Sequence, residues 1–414
     1  MNISLQKSAF SKKRSAIKIT GSKSETNRLL LLKALYPQIK IENNSNSDDS
    51  EAMTKALSQT SQSTIIDIHH AGTAMRFLTA FFSMQEGKEV VLTGSSRMKE
   101  RPIKILVEAL QQLGAEITYK ENEGFPPIRI KGQKITKNKV ILKADVSSQY
   151  ISALLLIAPK LQNGLELTLE GEITSVPYIK MTLALLNEIG VKTSFSDNKI
   201  IVYPAENVLS NSITIESDWS SASYWYSIIA LSEIGTEITL SSYKQNSLQG
   251  DSALAEIYSN FGVKTIFKDC ELFLHKAENF KPETLSLKLN NCPDIAQTIA
   301  VTCFGLGIAC DLSGLHTLKI KETDRLEALK IELTKLGAEI LVTNDSLHLK
   351  ASSEIIENVS ISTYQDHRMA MAFAPLALKT SIIIENAEVV SKSYPTFWDD
   401  LKQIGFEFSS NNTI

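Results

Sequence analysis

"ALLNEIGVKTSFSDNKIIVYP", residues 184–204, reads as the end of an amphipathic helix, a glycine at Gly190, a short alternating strand, a turn and a second alternating strand. Glycine suits the helix end because the left-handed conformation that closes a helix costs least without a Cβ. The same design recurs as "ALQQLGAEITYKENEGFPPIRIKG" (109–132), "EIYSNFGVKTIFKDCELFLHK" (256–276) and "IELTKLGAEILVTNDSLHLKA" (331–351), with a truncated copy "DLKQIGFEF" (400–408). Gly114, Gly190, Gly262, Gly337 and Gly405 are separated by 76, 72, 75 and 68 residues. A repeat of this length is the period of a supersecondary unit.

Between these segments lie helices that are apolar nearly all round and begin with small or polar residues: "SKSETNRLLLLKAL", "HAGTAMRFLTAFF", "SSQYISALLLIAP", "SSASYWYSIIAL", "PDIAQTIAVTCFGLG" and "QDHRMAMAFAPLAL". Taking Ser24, Thr73, Ser148, Ser221, Asp294 and Asp366 as their starts gives steps of 49, 75, 73, 73 and 72. Six units therefore fill the chain, each with one apolar helix, one amphipathic helix and half-polar strands. A helix without a polar face is buried, and an alternating strand turns one face to water. The expected architecture is α/β, with helices inside and sheets outside, in two domains of three units divided near residue 217. The period by itself is also that of an elongated solenoid.

Composition narrows the function classes. With 43% hydrophobic and 21% charged residues the chain is that of an ordinary globular protein. At 414 residues it is too long for one core and calls for about two domains. A net charge of −3 without basic tails speaks against a nucleic-acid or membrane-surface partner, so any bound anion must be met locally. Cys270, Cys292, Cys303 and Cys310 form no CxxC pair and no zinc spacing. Neither a signal-peptide core nor ~18 uninterrupted apolar residues is present, and a reduced cytoplasmic setting is expected.

Eight arginines stand against 35 lysines, and six of the eight, Arg28, Arg76, Arg97, Arg101, Arg325 and Arg368, fall near helix starts or in "GSSRMKERPIKIL". Arginine's planar fork grips a carboxylate or phosphate with two parallel hydrogen bonds, and helix starts add free N–H groups for the same anions. Cations such as Lys23 and Arg28 at a helix start repel the positive end of the dipole, so an anionic ligand is the expected partner. Local readings compete with this one. Asp324 with Glu327, and Asp294 with Gln297, also fit capping boxes, and Asp366 fits an N-cap. His367 fits a buried core histidine. His69 and His70 lack a third ligand at metal spacing, and "GSKS" lacks the glycine of a phosphate-cradling Walker loop.

The stretches "GSKSETNR", "HAGTAMRFL", "LTGSSRMKERPI", "VSSQY", "SVPYI", "PDIAQT", "KETDRLEAL", "DHRMAMAF" and "SKSYPTFW", in order and spacing over residues 21–398, resemble the EPSP synthase (3-phosphoshikimate 1-carboxyvinyltransferase) family. The resemblance implies an inverse α/β barrel-like fold of two domains, each with three βαβαββ units. The first domain would span 14–217 and the second 1–13 with 218–414, the active site lying in the cleft between them. It also implies transfer of the carboxyvinyl group of phosphoenolpyruvate to the 5-hydroxyl of 3-phosphoshikimate, by addition and elimination, with no cofactor, no metal and a monomeric chain.

By the same resemblance Lys23, Ser24, Arg28, Ser147, Ser148, Ser175, Asp294, Thr317 and Lys321 contact 3-phosphoshikimate. Lys23, Gly72, Arg101, Gln149, Arg325, Arg368 and Lys392 contact phosphoenolpyruvate. Asp294 is expected as the base at the hydroxyl and Glu322 as the acid at the methylene carbon, with Lys23 assisting. Three positions depart from the family pattern: His70 and Phe77 beside the phosphoenolpyruvate residues, which leaves the response to glyphosate open, and Thr317 in place of an asparagine. Two rivals share the fold: the enolpyruvyl transferase acting on UDP-N-acetylglucosamine, whose mobile-loop cysteine has no counterpart before Cys270, and a non-catalytic anion-binding protein.

Overall fold

The structure of the protein, a computed structural model, describes residues 1–8, 15–59, 63–144, 147–171, 173, 176–209, 212–277 and 283–411. The chain forms two compact units, Gly21–Ile215 and Met1–Thr20 with Glu216–Ile414. The crossings at 20/21 and 215/216 differ from the expected 13/14 and 217/218. The reason for the first shift is local: strand Ser15–Ile17 pairs in parallel with Glu237–Ser241, and Asp218 donates its N–H to the Thr20 carbonyl, so residues up to 20 stay with the C-terminal unit.

The repeat is a closed βαβαββ unit. Strands Lys139–Lys143 and Leu165–Glu170 pair in parallel around helix Ser148–Ile157. Helix Val176–Glu188 then returns the chain to the hairpin Thr193–Ser196 and Lys199–Val202, whose second strand pairs antiparallel with Leu165–Glu170. Val140, Leu142, Leu165, Leu167 and Leu169 point inward while Lys139 and Lys143 are exposed, the alternation of a sheet with one wet face. The helix on the inner face is buried over almost its whole length, as its uniform hydrophobicity requires. The same topology joins Ser63–Asp67, Glu89–Thr93, Glu116–Tyr119 and Ile128–Lys131, and again Thr284–Lys288, Ala309–Ser313, Ile340–Val342 and Ser346–Leu349. The repeat glycines carry the left-handed backbone foreseen for them, with φ 103° at Gly114 and 100° at Gly337.

The other three copies are spliced, which explains the irregular steps. Strand Lys40–Glu42 takes Ser212–Thr214 as its parallel neighbour, and only residues 58–62 separate helix Asp48–Leu57 from the next copy, so this unit has no hairpin. Its missing two strands account for the short step of 49. The truncated last copy, Val359–Ile361, Ile382–Ile384 and Phe408–Asn411, is completed by Asn2–Leu5, which lies antiparallel between the latter two. In the remaining copy the whole unit Gly21–Ile215 intervenes between Ser15–Ile17 and helix Trp219–Leu231.

Candidate active site

In the unit Gly21–Ile215 the predicted residues gather at helix starts. Lys23 opens helix Lys23–Leu35, and its Nζ lies 3.6 Å from Asp49 Oδ2. Arg28, one turn further on and 2% exposed, is held entirely by neutral groups: Nε donates to Thr182 Oγ1 at 2.8 Å, Nη1 to the Ser24 carbonyl at 2.8 Å and Nη2 to Ser152 Oγ at 2.9 Å. Its guanidinium also sits 5.4 Å from the Phe77 ring and 5.9 Å from the Tyr178 ring, so the unusual Phe77 supplies a cation–π face. Burial pulls the Arg28 pKa down to about 10, against the opposing pull of Tyr178 and Glu25; it is charged at neutral pH. The first helix therefore gives protein partners to both of its cations, beside the anionic ligand expected for them.

Gly72 opens helix Gly72–Ser83, and the Arg101 guanidinium lies directly over it: a Cβ at 72 would stand 2.5 Å from Nη1 and 2.7 Å from Nη2. Arg101 is buried, its Nε has no hydrogen-bond partner among the described residues, and none of their ion pairs includes it. A buried cation without a counter-charge costs several kcal/mol. Arg101 lies beside the N–H groups of a helix whose N-cap, Ala71, has no polar side chain, and both features favour an anion there. Ser147 caps helix Ser148–Ile157 by accepting from the Gln149 N–H, and Gln149 Nε2 reaches Thr73 Oγ1 at 3.3 Å. His70 Nδ1 is 2.8 Å from Ser95 Oγ. Ser175 lies outside the described residues.

The other unit holds the carboxylates. Arg325, first residue of helix Arg325–Lys335 and 2% exposed, donates Nε to Asp366 Oδ2 at 2.7 Å, Nη1 to Asp294 Oδ1 at 2.9 Å and Nη2 to Glu322 Oε2 at 2.8 Å. Burial alone would weaken its hold on the proton, but Asp366, Glu322 and Asp294 more than offset that and keep it charged. Asp294 further meets Lys321 Nζ at 3.3 Å and Arg368 Nη2 at 3.5 Å. Burial opposes its ionisation, yet Lys321, Arg368 and Arg325 together hold its carboxyl well below the usual range. Asp294 is thus no capping-box residue: Gln297 instead donates to Met369 Sδ, and the helix N-cap is Ile295. Asp324 does cap, accepting from the Leu326 and Glu327 N–H groups, and Asp366 caps Arg368 N–H at 2.9 Å.

Asp366 and Arg368 follow two residues in the left-handed region, Tyr364 (φ 53°) and Gln365 (φ 56°), a strain expected only where the surroundings enforce it. Tyr364 donates its hydroxyl to Glu332 Oε1 at 2.6 Å, and Lys392 Nζ donates to the Gln365 carbonyl at 2.6 Å. Lys392 therefore has a backbone partner beside its expected ligand role. Thr317 Oγ1 is buried with no hydrogen-bond partner among the described residues, so this hydroxyl is not turned toward solvent. Of the six clustered arginines, Arg97 departs: its side chain is 42% exposed and pairs with Glu100 at 2.9 Å. Arg76 is buried but structural, donating to the carbonyls of Gly72 at 3.1 Å and Pro102 at 2.9 Å. Asp251 and Ser220, contiguous with Arg368, carry no mark of their place in the sequence: Asp251 lies outside the repeated segments, and Ser220 opens "SSASYWYSIIAL" as one small polar residue among several.

The family model for EPSP synthase (3-phosphoshikimate 1-carboxyvinyltransferase) matches residues 58–401. A curated relative named 3-phosphoshikimate 1-carboxyvinyltransferase, from Bacteroides fragilis, is 46% identical over 404 residues, covering 96% of this chain and 97% of its own. The chain belongs to the EPSP synthase family. A Haemophilus influenzae relative of the same name is 36% identical over 420 residues, covering 94% and 96% of the two chains. A solved EPSP synthase structure from Acinetobacter baumannii shares the fold, with a TM-score of 0.79 at 20% identity over 99% of this chain and 100% of that one. The inverse barrel-like α/β fold of the EPSP synthases is thereby established for this chain, and the solenoid reading is set aside. No helix among the described residues is long and apolar enough to cross a membrane.

Proposed function

We propose that the protein transfers the enolpyruvyl group of phosphoenolpyruvate to the 5-hydroxyl of 3-phosphoshikimate, releasing phosphate, in the shikimate pathway to chorismate and the aromatic amino acids. The observation that carries the reading is the Asp294–Arg325–Glu322 arrangement. Of the three carboxylates held by one buried guanidinium, Asp294 and Glu322 are partly exposed, with Lys321 and Arg368 on the first of these. A non-catalytic anion binder gains nothing from carboxylates placed among its cations.

In this reading Asp294 takes the proton of the attacking hydroxyl as its oxygen bonds to C2 of phosphoenolpyruvate. Glu322 gives a proton to the methylene carbon and removes one again when phosphate leaves. Arg101 and the N–H groups following Gly72 meet the phosphate; Arg368, Arg325 and Lys392 meet the phosphoenolpyruvate carboxylate, with Gln149 and Lys23 beside both substrates. Ser24, Arg28, Ser147, Ser148, Ser175, Thr317 and Lys321 serve 3-phosphoshikimate. The protein works as a cytoplasmic monomer. The test is phosphate release from phosphoenolpyruvate with 3-phosphoshikimate or with UDP-N-acetylglucosamine as acceptor. Release with the first alone is expected; release with the UDP-sugar alone overturns the reading.

A further inference from the structure

Asp251 sits in the short turn Gly250–Ala253, 3% exposed. Its Oδ2 accepts from Ser220 Oγ, while Oδ1 has no hydrogen-bond partner among the described residues. Ser220 stands in the first turn of helix Trp219–Leu231, and its Oγ accepts from Arg368 Nη2 at 3.1 Å. The same Nη2 lies 3.5 Å from Asp294 Oδ2. A hydroxyl has one proton and lone pairs on the other side. Because Asp251 takes the proton, the Ser220 rotor is fixed with its lone pairs toward Arg368. Asp251, Ser220, Arg368 and Asp294 thus form one polar chain with the guanidinium between two carboxylates.

The approach of Asp251 to Ser220 is itself enforced. Gln249 Oε1 accepts from the Trp219 N–H at 3.0 Å and its Nε2 donates to the Ser217 carbonyl at 2.9 Å, binding the preceding loop to the same helix start. Buried Glu216 accepts from Ser247 Oγ at 2.6 Å, from the Lys244 N–H at 2.9 Å and from Trp219 Nε1 at 2.7 Å. An acid buried with one oxygen unsatisfied is destabilising, and a Ser–Asp pair that served packing alone would be replaced at little cost by apolar atoms. Burial pushes the Asp251 pKa up to about 6, with Arg368 opposing, which is the mark of that cost.

We propose that Asp251 is a positioning residue which, through Ser220, holds the Arg368 guanidinium in the orientation that receives the phosphoenolpyruvate carboxylate. This rests on the reading of Arg368 given under the proposed function. The test compares Asp251→Asn, Ser220→Ala, the double variant and Arg368→Ala in the full chain. Steady-state KM for each substrate and kcat are measured at neutral pH, with unfolding midpoints alongside. Each single variant is expected to raise KM for phosphoenolpyruvate about tenfold and leave KM for 3-phosphoshikimate within twofold, and the double variant to be no worse than the poorer single one, since the two act in series. Unchanged phosphoenolpyruvate KM in Ser220→Ala or Asp251→Asn, with a large rise in Arg368→Ala, overturns the proposal. Equal rises for both substrates, or a double effect equal to the product of the singles, overturns it too. An unchanged KM in Arg368→Ala instead refutes the underlying assignment. Should Asp251→Asn fail to fold, Ser220→Ala alone still decides.

Discussion

Replacing Arg325 by Met removes the one cation shared by Asp294, Glu322 and Asp366 while keeping a side chain of similar length. Asp366 is fully buried and loses the Nε–H at 2.7 Å; Asp294 retains Lys321 at 3.3 Å and Arg368 at 3.5 Å; Glu322 loses a bond of 2.8 Å. Breaking a buried ion pair by deleting one partner typically costs about 3–5 kcal/mol, chiefly for the charge left behind. At ~2–4 °C per kcal/mol for a folding unit of this size, the melting midpoint should fall by roughly 6–20 °C at neutral pH. All three tryptophans, Trp219, Trp225 and Trp398, belong to the same unit as Arg325, so intrinsic fluorescence reports its unfolding selectively. The pH dependence carries the sign. In the native protein the depressed Asp294 carboxyl contributes stability that is present above its unfolded pKa near 3.9 and is lost only as pH falls through its lower folded value. In Arg325→Met the orphaned carboxylates bind protons more readily, so acidification relieves them. The gap between variant and parent should therefore narrow from pH 7 toward about pH 4. A gap constant over that range would show that charge pairing is not what Arg325 provides, and a loss below 1 kcal/mol at pH 7 would refute the buried-pair argument outright.

Gly72→Ala places a Cβ within 2.5–2.8 Å of the Arg101 guanidinium, whose flexible end must move away. Loss of one charge-assisted hydrogen bond, about 1.5–3 kcal/mol, predicts a rise in KM for phosphoenolpyruvate of about 10- to 150-fold with 3-phosphoshikimate unaffected; equal rises for both substrates contradict the placement. Glu322→Gln keeps the shape and an acceptor toward Arg325 but cannot donate and recover a proton, so kcat should drop about 10²- to 10⁴-fold with both KM values within about threefold; near-native turnover would remove Glu322 from the acid/base role. Asp251→Asn should stabilise the protein at pH 7 by up to about 3 kcal/mol. With the folded pKa raised to about 6, the native form holds a proton that the unfolded chain has released from about pH 4 upward, so parent stability falls across that window while the variant stays level. Urea midpoints at pH 4 and pH 7 check it, and a gap that fails to widen between them counts against a buried acid at 251.

The repeat was legible because it is written in backbone chemistry. Glycines at helix ends and apolar helices against half-polar strands have causes that act locally, and Gly114, Gly337 and their counterparts sit where the period requires. What sequence order hid was splicing: Asn2–Leu5 finishing the last sheet, Ser212–Thr214 opening the first. Such pairings join ends some 170 to 400 residues apart and leave no local mark. Among the site candidates, Arg101, Arg325 and Arg368 stood out as arginines at helix starts and are buried, whereas Arg97 shared the motif with Arg101 and is a surface partner of Glu100. Periodicity cannot separate those two outcomes, because both occupy polar loop positions. Asp251 was invisible for a further reason: its meaning comes from Ser220 and Arg368, 31 residues before it and 117 after it, and not from its neighbours.

The two units meet the same problem, cations gathered in a low-dielectric place, by different means. Around Arg28 the charge is spread over hydroxyls, a carbonyl and aromatic faces, and around Arg101 no carboxylate pairs with it among the described residues. Around Arg325 it is neutralised by the protein's own carboxylates. An anion reaching Arg101 competes with no carboxylate among the described residues. One reaching Lys321 and Arg368 competes with Asp294 for both. As those cations turn to the incoming group, the attraction that holds the Asp294 carboxyl far below its usual range weakens, and its affinity for a proton rises. Under the proposed reaction, a carboxylate too weakly basic to act would become a competent general base when substrate charge arrives, which would confine proton abstraction to the loaded site.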